Sequence, residues 1–474
     1  MPPRGSLPRY SRPRVGNTSR SGGLVRSGAV HYSTAGMAIM WRVSDAILSL
    51  NIVNAPLIAT MSGISIALVL YLLIRRPTVR WVLTASIGAV SGALIGALTI
   101  LLTVNVLNLF GTRLSPIVDT WIILTFAAVA VAVVNLWLSR WWRKVIAAVS
   151  ILVFVLTGTL GVNAAFGLDK TVAAFLGVTN EKPLDLGAPS TADPGIDPNT
   201  PLYESWKAPA DLPATGSLGT VDIPNSASGF VARTALAYVP PAGLVASKPK
   251  LPVIIQLNGQ PGSPGLDDPK AILDKMAAAD NGLGPIVVNP DQLGDDSKDP
   301  LCLDTSMGNV ETYIMKDVVP WVKSHFAVSD DPKDWTVLGF SNGGMCAAYF
   351  GAKYPEVFGN VVDLSGDEYQ GVDDRSTLSR VFGGDQAAYE AVWPKTIMSK
   401  TKYPDSVGVF AVGANDSEAL PGVKRTYDAA VAAGITATYT EIPDSSHDNV
   451  ALDGGLTRGY EVLYPRWGLT KPSS

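Results

Sequence analysis

The sequence has few charged residues, and almost none of one sign in its first third. Only 16% of its 474 residues are charged and 47% are hydrophobic, which is an apolar excess for a soluble protein. Residues 1–166 hold 14 Lys and Arg but only two acids, Asp45 and Asp119, whereas the remainder holds 23 Lys and Arg and 39 Asp and Glu. The asymmetry indicates two parts in different surroundings, and the acidic second part argues against nucleic acid as its partner.

Ionisable residues are missing altogether from four long apolar segments. We therefore predict a transmembrane region of four helices over residues 45–168. Because ion and proton pathways normally need ionisable groups inside the membrane, an anchor or lipid-facing platform is predicted and a transporter is disfavoured. The four segments are Ala55 to Ile74, Leu83 to Leu107, Trp121 to Leu138 and Val145 to Phe166.

Basic residues set the predicted orientation in the cell membrane. Four crossings place both chain ends on one side, and the basic loops 75–80 and 139–144 favour the cytoplasm. The second part of the chain is then extracytoplasmic. Residues 1–44 contain seven arginines and no acid, which pulls the other way. This basic tail is predicted to be disordered or processed, or to precede a true initiator at Met37 or Met40.

Cysteine is scarce as well. The two cysteines, Cys302 and Cys346, both lie in the second part of the chain. In an oxidising compartment they can form a disulfide. Two small buried thiols are the alternative, and the sequence leaves both open.

Composition divides the rest of the chain into a linker and a folded domain. Residues 186–217 are dominated by Pro, Ala, Asp, Thr and Gly, which predicts an extended spacer within a linker over residues 169–217. In residues 218–474 short apolar runs alternate with helical patterns, which predicts a mostly parallel sheet covered by helices on both faces. The predicted strands are Thr220 to Ile223, Ala232 to Val239, Val253 to Leu257, Ile286 to Asn289, Trp335 to Leu338, Asn360 to Leu364, Val407 to Val412 and Ala437 to Ile442. The predicted helices are Pro269 to Ala279, Val310 to Phe326, Gly344 to Lys353, Pro421 to Ala433 and Thr457 to Tyr464.

The segment Gly339-Phe340-Ser341-Asn342-Gly343 marks the predicted reactive site. It joins an apolar run to a helical pattern rich in small residues. A serine on a tight strand-to-helix turn needs glycines two residues away on both sides, because the backbone leaves no room there for a Cβ. The pattern predicts Ser341 as a nucleophile, with the amide of Asn342 directed at the oxyanion of a tetrahedral intermediate.

A serine nucleophile needs a base, and the three histidines leave little choice. His31 lies in the basic tail. His325 ends a predicted helix, where a solvent-facing or capping role is expected. His447 lies in a polar loop directly after the last predicted strand, which is where the base of such a fold belongs. We predict His447 as the general base.

A carboxylate must hold the imidazole in one tautomer and stabilise its protonated form. Asp416 follows the strand before His447, and Glu418 is its rival two residues on. Asp444 and Asp448 flank the histidine, and we expect both to be solvated. The three residues follow one another along the chain as Ser341, Asp416 and His447, which is the order expected of an α/β-hydrolase.

The oxyanion needs a second donor, and the loop after Val253 to Leu257 is the candidate. Its glycines allow a backbone amide to turn inward, although such a turn is also an ordinary strand exit. We assign the amide of Gln260, with Gly259 as the alternative.

Several of these motifs together resemble the esterase D group of α/β-hydrolases, which includes S-formylglutathione hydrolases and mycolyltransferases. The resemblance covers about residues 219–465, and the layout is similar to uncharacterised actinobacterial esterases with four amino-terminal spans. It implies that Ser341 is the nucleophile, Asp416 the acid and His447 the base, with oxyanion amides at Gln260 and Asn342. The motifs are Leu257 to Gln260, Glu311 to Val322, the elbow at Gly339 to Gly343, Tyr354 to Gly359 and Leu364 to Gly366.

The chain departs from this group in two ways. Asn258 stands where the family more often has histidine, and the mycolyltransferase substrate-binding signature is missing. Acyl transfer to a sugar is therefore not supported.

These features predict a membrane-anchored serine esterase without a metal or organic cofactor. Tethering raises the local concentration at the bilayer, which favours a lipid or envelope-glycolipid ester over other small esters. An acyltransferase and a non-catalytic membrane scaffold on a hydrolase fold are the alternatives. Residues 367–400, with aromatic Phe382, Tyr389 and Trp393, are predicted to form a lid or acyl-binding wall, or else an ordinary surface excursion.

Overall fold

The computed structural model describes residues 46–106, 114–137, 139–167, 169–176, 181–186, 196, 200–295, 298–371 and 374–472. The chain divides into two units, Met1–Ile47 and Leu48–Ser474, and every element named below lies in the second. The predicted basic tail and parts of the predicted linker lie outside the described residues.

Four long helices come first, and each is long and apolar enough to cross a membrane. Three of them begin earlier than the uncharged runs suggest, because the helices continue through polar residues at their ends; Thr78, for example, caps the second helix by accepting a hydrogen bond from the Trp81 amide. The four are α1 (Ala55–Leu73), α2 (Val79–Ile100, followed by a π-helical stretch, Leu101–Val106), α3 (Pro116–Trp137) and α4 (Trp141–Phe166).

Two short helices follow, α5 (Val172–Phe175) and α6 (Leu202–Ser205). The second lies inside the segment predicted to be extended, so that prediction was wrong for this part. The reason is Trp206, which is buried and donates a hydrogen bond from its indole to the Asn281 carbonyl oxygen. The end of the segment is thereby fixed on the folded domain.

An eight-stranded sheet forms the centre of the remaining chain, in the order β1-β2-β4-β3-β7-β8-β9-β10. β2 pairs antiparallel with both of its neighbours, β1 and β4, and the other five pairings are parallel, so the sheet is mostly parallel, as the alternating pattern predicted. The strands are β1 (Ser217–Val221), β2 (Ala235–Val239), β3 (Val253–Leu257), β4 (Ile286–Asn289), β7 (Trp335–Phe340), β8 (Asn360–Leu364), β9 (Val407–Gly413) and β10 (Thr436–Ile442), with β5 (Asp304–Thr305) and β6 (Gly308–Asn309) in a separate hairpin.

Helices cover the sheet and bury its central strands, whose residues are apolar on both faces. The helices are α7 (Asp267–Ala279), α8 (Val310–Thr312, a π-helical stretch Tyr313–Val318, and Val319–His325), α9 (Asn342–Lys353), α10 (Asp374–Arg380), α11 (Gln386–Ala391), α12 (Pro394–Met398), α13 (Ala419–Ala433) and α14 (Asn449–Arg466).

The last helix begins eight residues before the predicted Thr457, so its predicted start was wrong. Gly454 and Gly455 lie inside the observed helix and bring it close to the sheet. A Cβ on either glycine would lie 2.7 Å from a methyl carbon of Ile442 or Leu364. The two glycines therefore serve packing inside a helix.

The register of the parallel strands positions the site. Phe340 pairs with Leu364 and Leu364 with Ala411, so β7, β8 and β9 end together. Because the carboxyl ends of parallel strands share one edge of a sheet, the loops that follow them meet there.

Candidate active site

Ser341 lies on the turn between β7 and α9 with φ at +57°. This left-handed conformation is unusual for serine, and it is held by a hydrogen bond of 2.8 Å from the Ser341 amide to the Leu364 carbonyl oxygen. A Cβ on Gly339 would lie 2.1 Å from the Gly343 carbonyl oxygen, and one on Gly343 would lie 2.2 Å from the Leu257 carbonyl oxygen. Both glycines are therefore required at the positions that the pattern singled out.

The three residues predicted to form the catalytic triad are joined in a series by two hydrogen bonds. His447 Nε2 lies 2.8 Å from Ser341 Oγ, and His447 Nδ1 lies 2.7 Å from Asp416 Oδ2. Asp416 is buried, with 3% of its surface exposed, and its other oxygen accepts from the Ala419 amide at 3.1 Å. An ionised Asp416 fixes the tautomer with the proton on Nδ1, so that Nε2 is free to accept the serine proton.

The rival acids lie elsewhere. Glu418 and Asp444 are exposed, and Asp448 caps α14 by accepting hydrogen bonds from the amides of Val450 and Ala451. His325 is exposed, stacks on Trp321 and contacts the Trp321 carbonyl oxygen through Nδ1 at 2.8 Å. His31 lies outside the described residues.

The surroundings of His447 favour its protonated form. Burial alone would lower its pKa, but the hydrogen bond and charge of Asp416, with the charges of Asp367 and Asp448, raise the pKa of His447 above its ordinary value. The phenyl ring of Phe340 packs against the imidazole at 4.9 Å between centroids. The base is therefore held in place on both sides and is a stronger proton acceptor than a free histidine.

The loop after β3 lies beside the elbow, as predicted for an oxyanion donor. A Cβ on Gly259 would lie 3.4 Å from the Phe340 carbonyl oxygen and 3.6 Å from Ser341 Cβ. Gln260 is the next residue in this loop, and Asn342 opens α9. The amides of Gln260 and Asn342 stay our predicted oxyanion donors.

A buried polar network holds the loop after β3 in place, and no sequence pattern predicted this network. The Asn258 amide donates to Gln292 Oε1 at 3.1 Å, and Gln292 Nε2 donates to the Asn258 carbonyl oxygen at 2.6 Å. Arg233 forms a two-pronged ion pair with buried Asp291 and donates to the Gly262 carbonyl oxygen at 2.7 Å. Residues directly after β4 thus fix the conformation of the loop after β3.

Two further carboxylates lie near the reacting atoms, and sequence reasoning missed both. Asp299 accepts a hydrogen bond from the Asn342 side-chain amide at 3.0 Å. Asp367 follows β8, and its charge acts on His447 and Asp299. Burial raises the pKa of Asp367 to about 6, against the lowering effect of His447, while Asp299 and Asp416 add to the rise. The site is therefore acidic beyond its own aspartate.

Cys302 and Cys346 form a disulfide that joins the loop holding Asp299 to helix α9. Leu301 and Cys302 both have positive φ angles, +66° and +56°, which are costly for residues with a Cβ. The bond thus holds a strained loop against the helix that begins at the elbow. Among the described residues, no group of three or more His, Cys, Asp or Glu side chains is arranged to hold a metal ion.

The segment predicted as a lid or acyl-binding wall has an aromatic core of its own. Tyr389 contacts Phe382 at 5.0 Å, Trp393 at 5.4 Å and Tyr369 at 6.3 Å between ring centroids. Glu368 attaches the segment to α13 through Arg425. The segment is thus a packed substructure directly after the strand that ends beside the elbow.

Residues 233–404 match the model of the family described as "Putative esterase". An uncharacterised protein of Corynebacterium glutamicum is 33% identical over 264 residues, which cover 53% of this chain and 61% of that protein. The iron(III) enterobactin esterase of Dickeya dadantii is 27% identical over 170 residues, covering 33% of this chain and 34% of that enzyme. The chain therefore spans well under the full length of both curated relatives.

An S-formylglutathione hydrolase from Agrobacterium tumefaciens is 18% identical, and the two structures superimpose with a TM-score of 0.45. The match covers 54% of this chain and 96% of that chain.

Proposed function

We propose that the protein is a membrane-anchored serine esterase, because residues 233–404 match the esterase family model and lie in a domain with a mostly parallel central sheet. The main support is the hydrogen-bonded series from Ser341 Oγ through His447 to Asp416, at 2.8 and 2.7 Å. Nucleophile, base and orienting acid in this geometry are what acyl transfer from an ester requires.

The reaction proceeds through an acyl-enzyme. His447 Nε2 takes the proton of Ser341 Oγ as the oxygen attacks the ester carbonyl, and a tetrahedral intermediate forms. The imidazolium then donates this proton to the leaving alcohol as the carbon–oxygen bond breaks. In the second half, His447 takes a proton from water, hydroxide adds to the acyl carbon, and the acid leaves as the proton returns to Ser341.

Charge on the intermediate has to be stabilised on both sides of the site. The oxyanion is bound by the amides of Gln260 and Asn342, which contributes about 3–4 kcal/mol per donor in comparable sites. The imidazolium is stabilised by Asp416. The network around Gln292 keeps the first of these donors in position before substrate arrives, so little reorganisation is needed during the reaction.

The four apolar helices make up the membrane anchor of this proposal. We infer the division that the sequence predicted: an anchor over residues 45–168, a linker over 169–217 and a catalytic domain over 218–474. The basic loops 75–80 and 139–144 support a catalytic domain outside the cytoplasmic membrane. An enzyme held at a bilayer meets lipid or glycolipid esters at high local concentration.

The acidic residues around the site also favour some classes of ester over others. At neutral pH Asp367, whose pKa is about 6, is largely ionised and its charge acts on His447, so it repels an anionic acyl group and attracts a cationic one. We therefore infer that the enzyme prefers neutral or amine-bearing esters to esters carrying a carboxylate close to the carbonyl.

Hydrolysis of p-nitrophenyl butyrate by the purified full chain in detergent tests the esterase proposal. We expect turnover that falls by about 10⁴-fold or more in Ser341→Ala and is unchanged in Ser247→Ala, which alters an exposed serine in the loop that precedes β3. Equal turnover in both variants would refute Ser341 as the nucleophile. Adding a long-chain alcohol separates the alternative, because a transferase would form the new ester in preference to free acid.

A further inference from the structure

The end of the last apolar helix touches the segment that holds the catalytic histidine. Gly167 ends α4 with φ at +69°, and a Cβ on it would lie only 2.5 Å from Asn449 Cβ. Asn449 is the first residue of α14 and follows His447 by two positions. The Gly167 backbone therefore lies directly against the Asn449 side chain at the point where the helix leaves its apolar run.

Further contacts fasten the same end of the helices to the catalytic domain. Lys170 forms an ion pair with Asp268 in the first turn of α7. The Asn163 side chain accepts from the Asp169 amide at 3.0 Å and donates to the Asp169 carbonyl oxygen at 2.7 Å, which fixes the exit from α4. The contact with Asn449 is thus one of several ties.

The chain that enters the first helix takes part as well. The Ile52 amide donates to the Lys170 carbonyl oxygen at 2.9 Å, and the Val172 amide donates to the Leu50 carbonyl oxygen at 3.1 Å. The segment before α1 therefore pairs with the segment after α4. The entry to and exit from the four helices are joined on the side where the catalytic domain begins.

Chain geometry limits how far the reacting atoms can lie from the end of α4. Two residues span at most about 7 Å, so the His447 backbone lies within about 7 Å of Asn449, and Ser341 Oγ is 2.8 Å from the imidazole. The interfacial layer of a bilayer is itself about 5–8 Å thick on each side. The reacting atoms therefore lie close to the end of α4, where that helix would leave the membrane.

Exposed apolar side chains lie in the segments on both sides of this contact. Val450, in the first turn of α14, is 57% exposed; Phe175 and Leu176, which follow α4 directly, are 41% and 60% exposed. We call these three residues the apolar rim. Apolar side chains next to a membrane helix are favourable when they enter the interface and unfavourable in water.

We propose that the apolar rim rests in the bilayer surface and that the active site opens onto it, so that lipid esters reach Ser341 without leaving the membrane. This inference depends on the proposed esterase function and specifies the physical state of its substrate. Phe175 and Leu176 follow α4 closely in the chain, and Val450 follows the Asn449 that Gly167 contacts, so the rim adjoins the apolar helices, which favours lipid over a soluble protein partner as its occupant.

Depth-dependent quenching tests the position of the rim independently of activity. The full chain would carry an environment-sensitive bimane label at Val450→Cys, in vesicles of phosphatidylcholine and phosphatidylglycerol with lipids spin-labelled near the headgroup. The matched control is Val431→Cys on α13. Val431 is a similarly exposed valine, 49% against 57% for Val450, and it lies at the edge of the sheet opposite to the edge that carries the site. We expect quenching at position 450 to be at least about three times that at position 431. Equally weak quenching at both positions would overturn the proposal.

A ratio of activities tests the consequence for substrate. We expect Val450→Glu to lower hydrolysis of a long-chain ester embedded in the same vesicles, relative to soluble p-nitrophenyl acetate, by about tenfold, because a carboxylate resists entry into the interface. Val431→Glu should leave the ratio unchanged. An unchanged ratio in Val450→Glu would contradict the proposal even if both esters are hydrolysed. If neither ester is hydrolysed, the esterase function is wrong, and the quenching result still decides whether the rim lies in the membrane.

Discussion

Asn258 and Gln292 exchange hydrogen bonds across two parallel strands, from the Asn258 amide to Gln292 Oε1 at 3.1 Å and from Gln292 Nε2 to the Asn258 carbonyl oxygen at 2.6 Å. Both side chains are buried. The pairing satisfies the backbone of the first residue after β3, two residues before the predicted oxyanion donor. A side chain from one loop thereby sets the backbone geometry of another.

Removing this pairing should impair catalysis more than binding. In Gln292→Leu the Asn258 backbone loses both partners and the loop relaxes, so we expect kcat to fall by about 10–100-fold with KM changed less than threefold. Steady-state kinetics normalised to the number of sites titrated by a fluorophosphonate measure this. A proportional loss of titratable sites with normal kcat per site would instead mean that Gln292 only stabilises the fold.

Asp416→Asn should change both the rate and the pH profile. The wild-type rate should rise with pH as His447 loses its proton, with a midpoint above the ordinary histidine value of about 6.5, because Asp416 holds the pKa of His447 up. Without that charge the pKa of His447 falls, so the acidic limb moves to lower pH, while the loss of the correct tautomer lowers kcat by about 10³–10⁴-fold.

The rival acid provides the matched control for this change. Glu418→Gln removes an exposed carboxylate two residues away and should leave both rate and midpoint unchanged. A loss in Glu418→Gln that equals the loss in Asp416→Asn would reverse the assignment of the acid.

Asp367→Asn should alter the preference for charged substrates. We expect the wild type to hydrolyse an ester with an α-amino group faster than the matching ester with a carboxylate there, and the ratio of the two kcat/KM values to fall by about 3–10-fold in the variant. Asp405→Asn, which changes an acid whose side chain is 87% exposed, is the control. An unchanged ratio in Asp367→Asn would show that this carboxylate does not act on substrate.

The disulfide should stabilise the domain and the site together. A cross-link between residues 44 positions apart contributes about 4 kcal/mol in the chain-entropy model, or about 8–15 °C in Tm for a domain of this size. We expect Cys302→Ser to lower Tm by this amount and to reduce kcat, because the loop holding Asp299 is released. Reductant should lower the Tm of the wild type and leave that of the variant unchanged.

The sequence predicted the sheet well because buried parallel strands read as short apolar runs. Strands β3, β4 and β8 begin and end at the predicted residues, and the mostly parallel α/β-hydrolase fold is confirmed. Ser341 was predicted as the nucleophile because its turn requires glycine two residues away on both sides, and His447 was predicted as the base because the chain has few histidines. The structure places the two side chains 2.8 Å apart. Local backbone geometry and the small number of histidines are therefore the sequence features that pointed to these two positions.

The remainder of the site had no local signal. Asp299, Asp367 and Gln292 are single polar residues in three different loops, which the register of the parallel strands brings to one edge. The helix start before Gly454 and Gly455 was missed, and a glycine that ends a helix and one that lets a helix approach a sheet look the same in sequence. The contact between Gly167 and Asn449 joins residues 282 positions apart, which no periodicity could suggest.

The most direct test of the central claim is the site and rate of fluorophosphonate modification of the full chain, measured by peptide mass. We predict one adduct per chain, on Ser341, formed about 10³-fold or more slowly in His447→Gln and at the normal rate in His325→Gln. An adduct on another residue, or equal rates in His447→Gln and the wild type, would contradict the account.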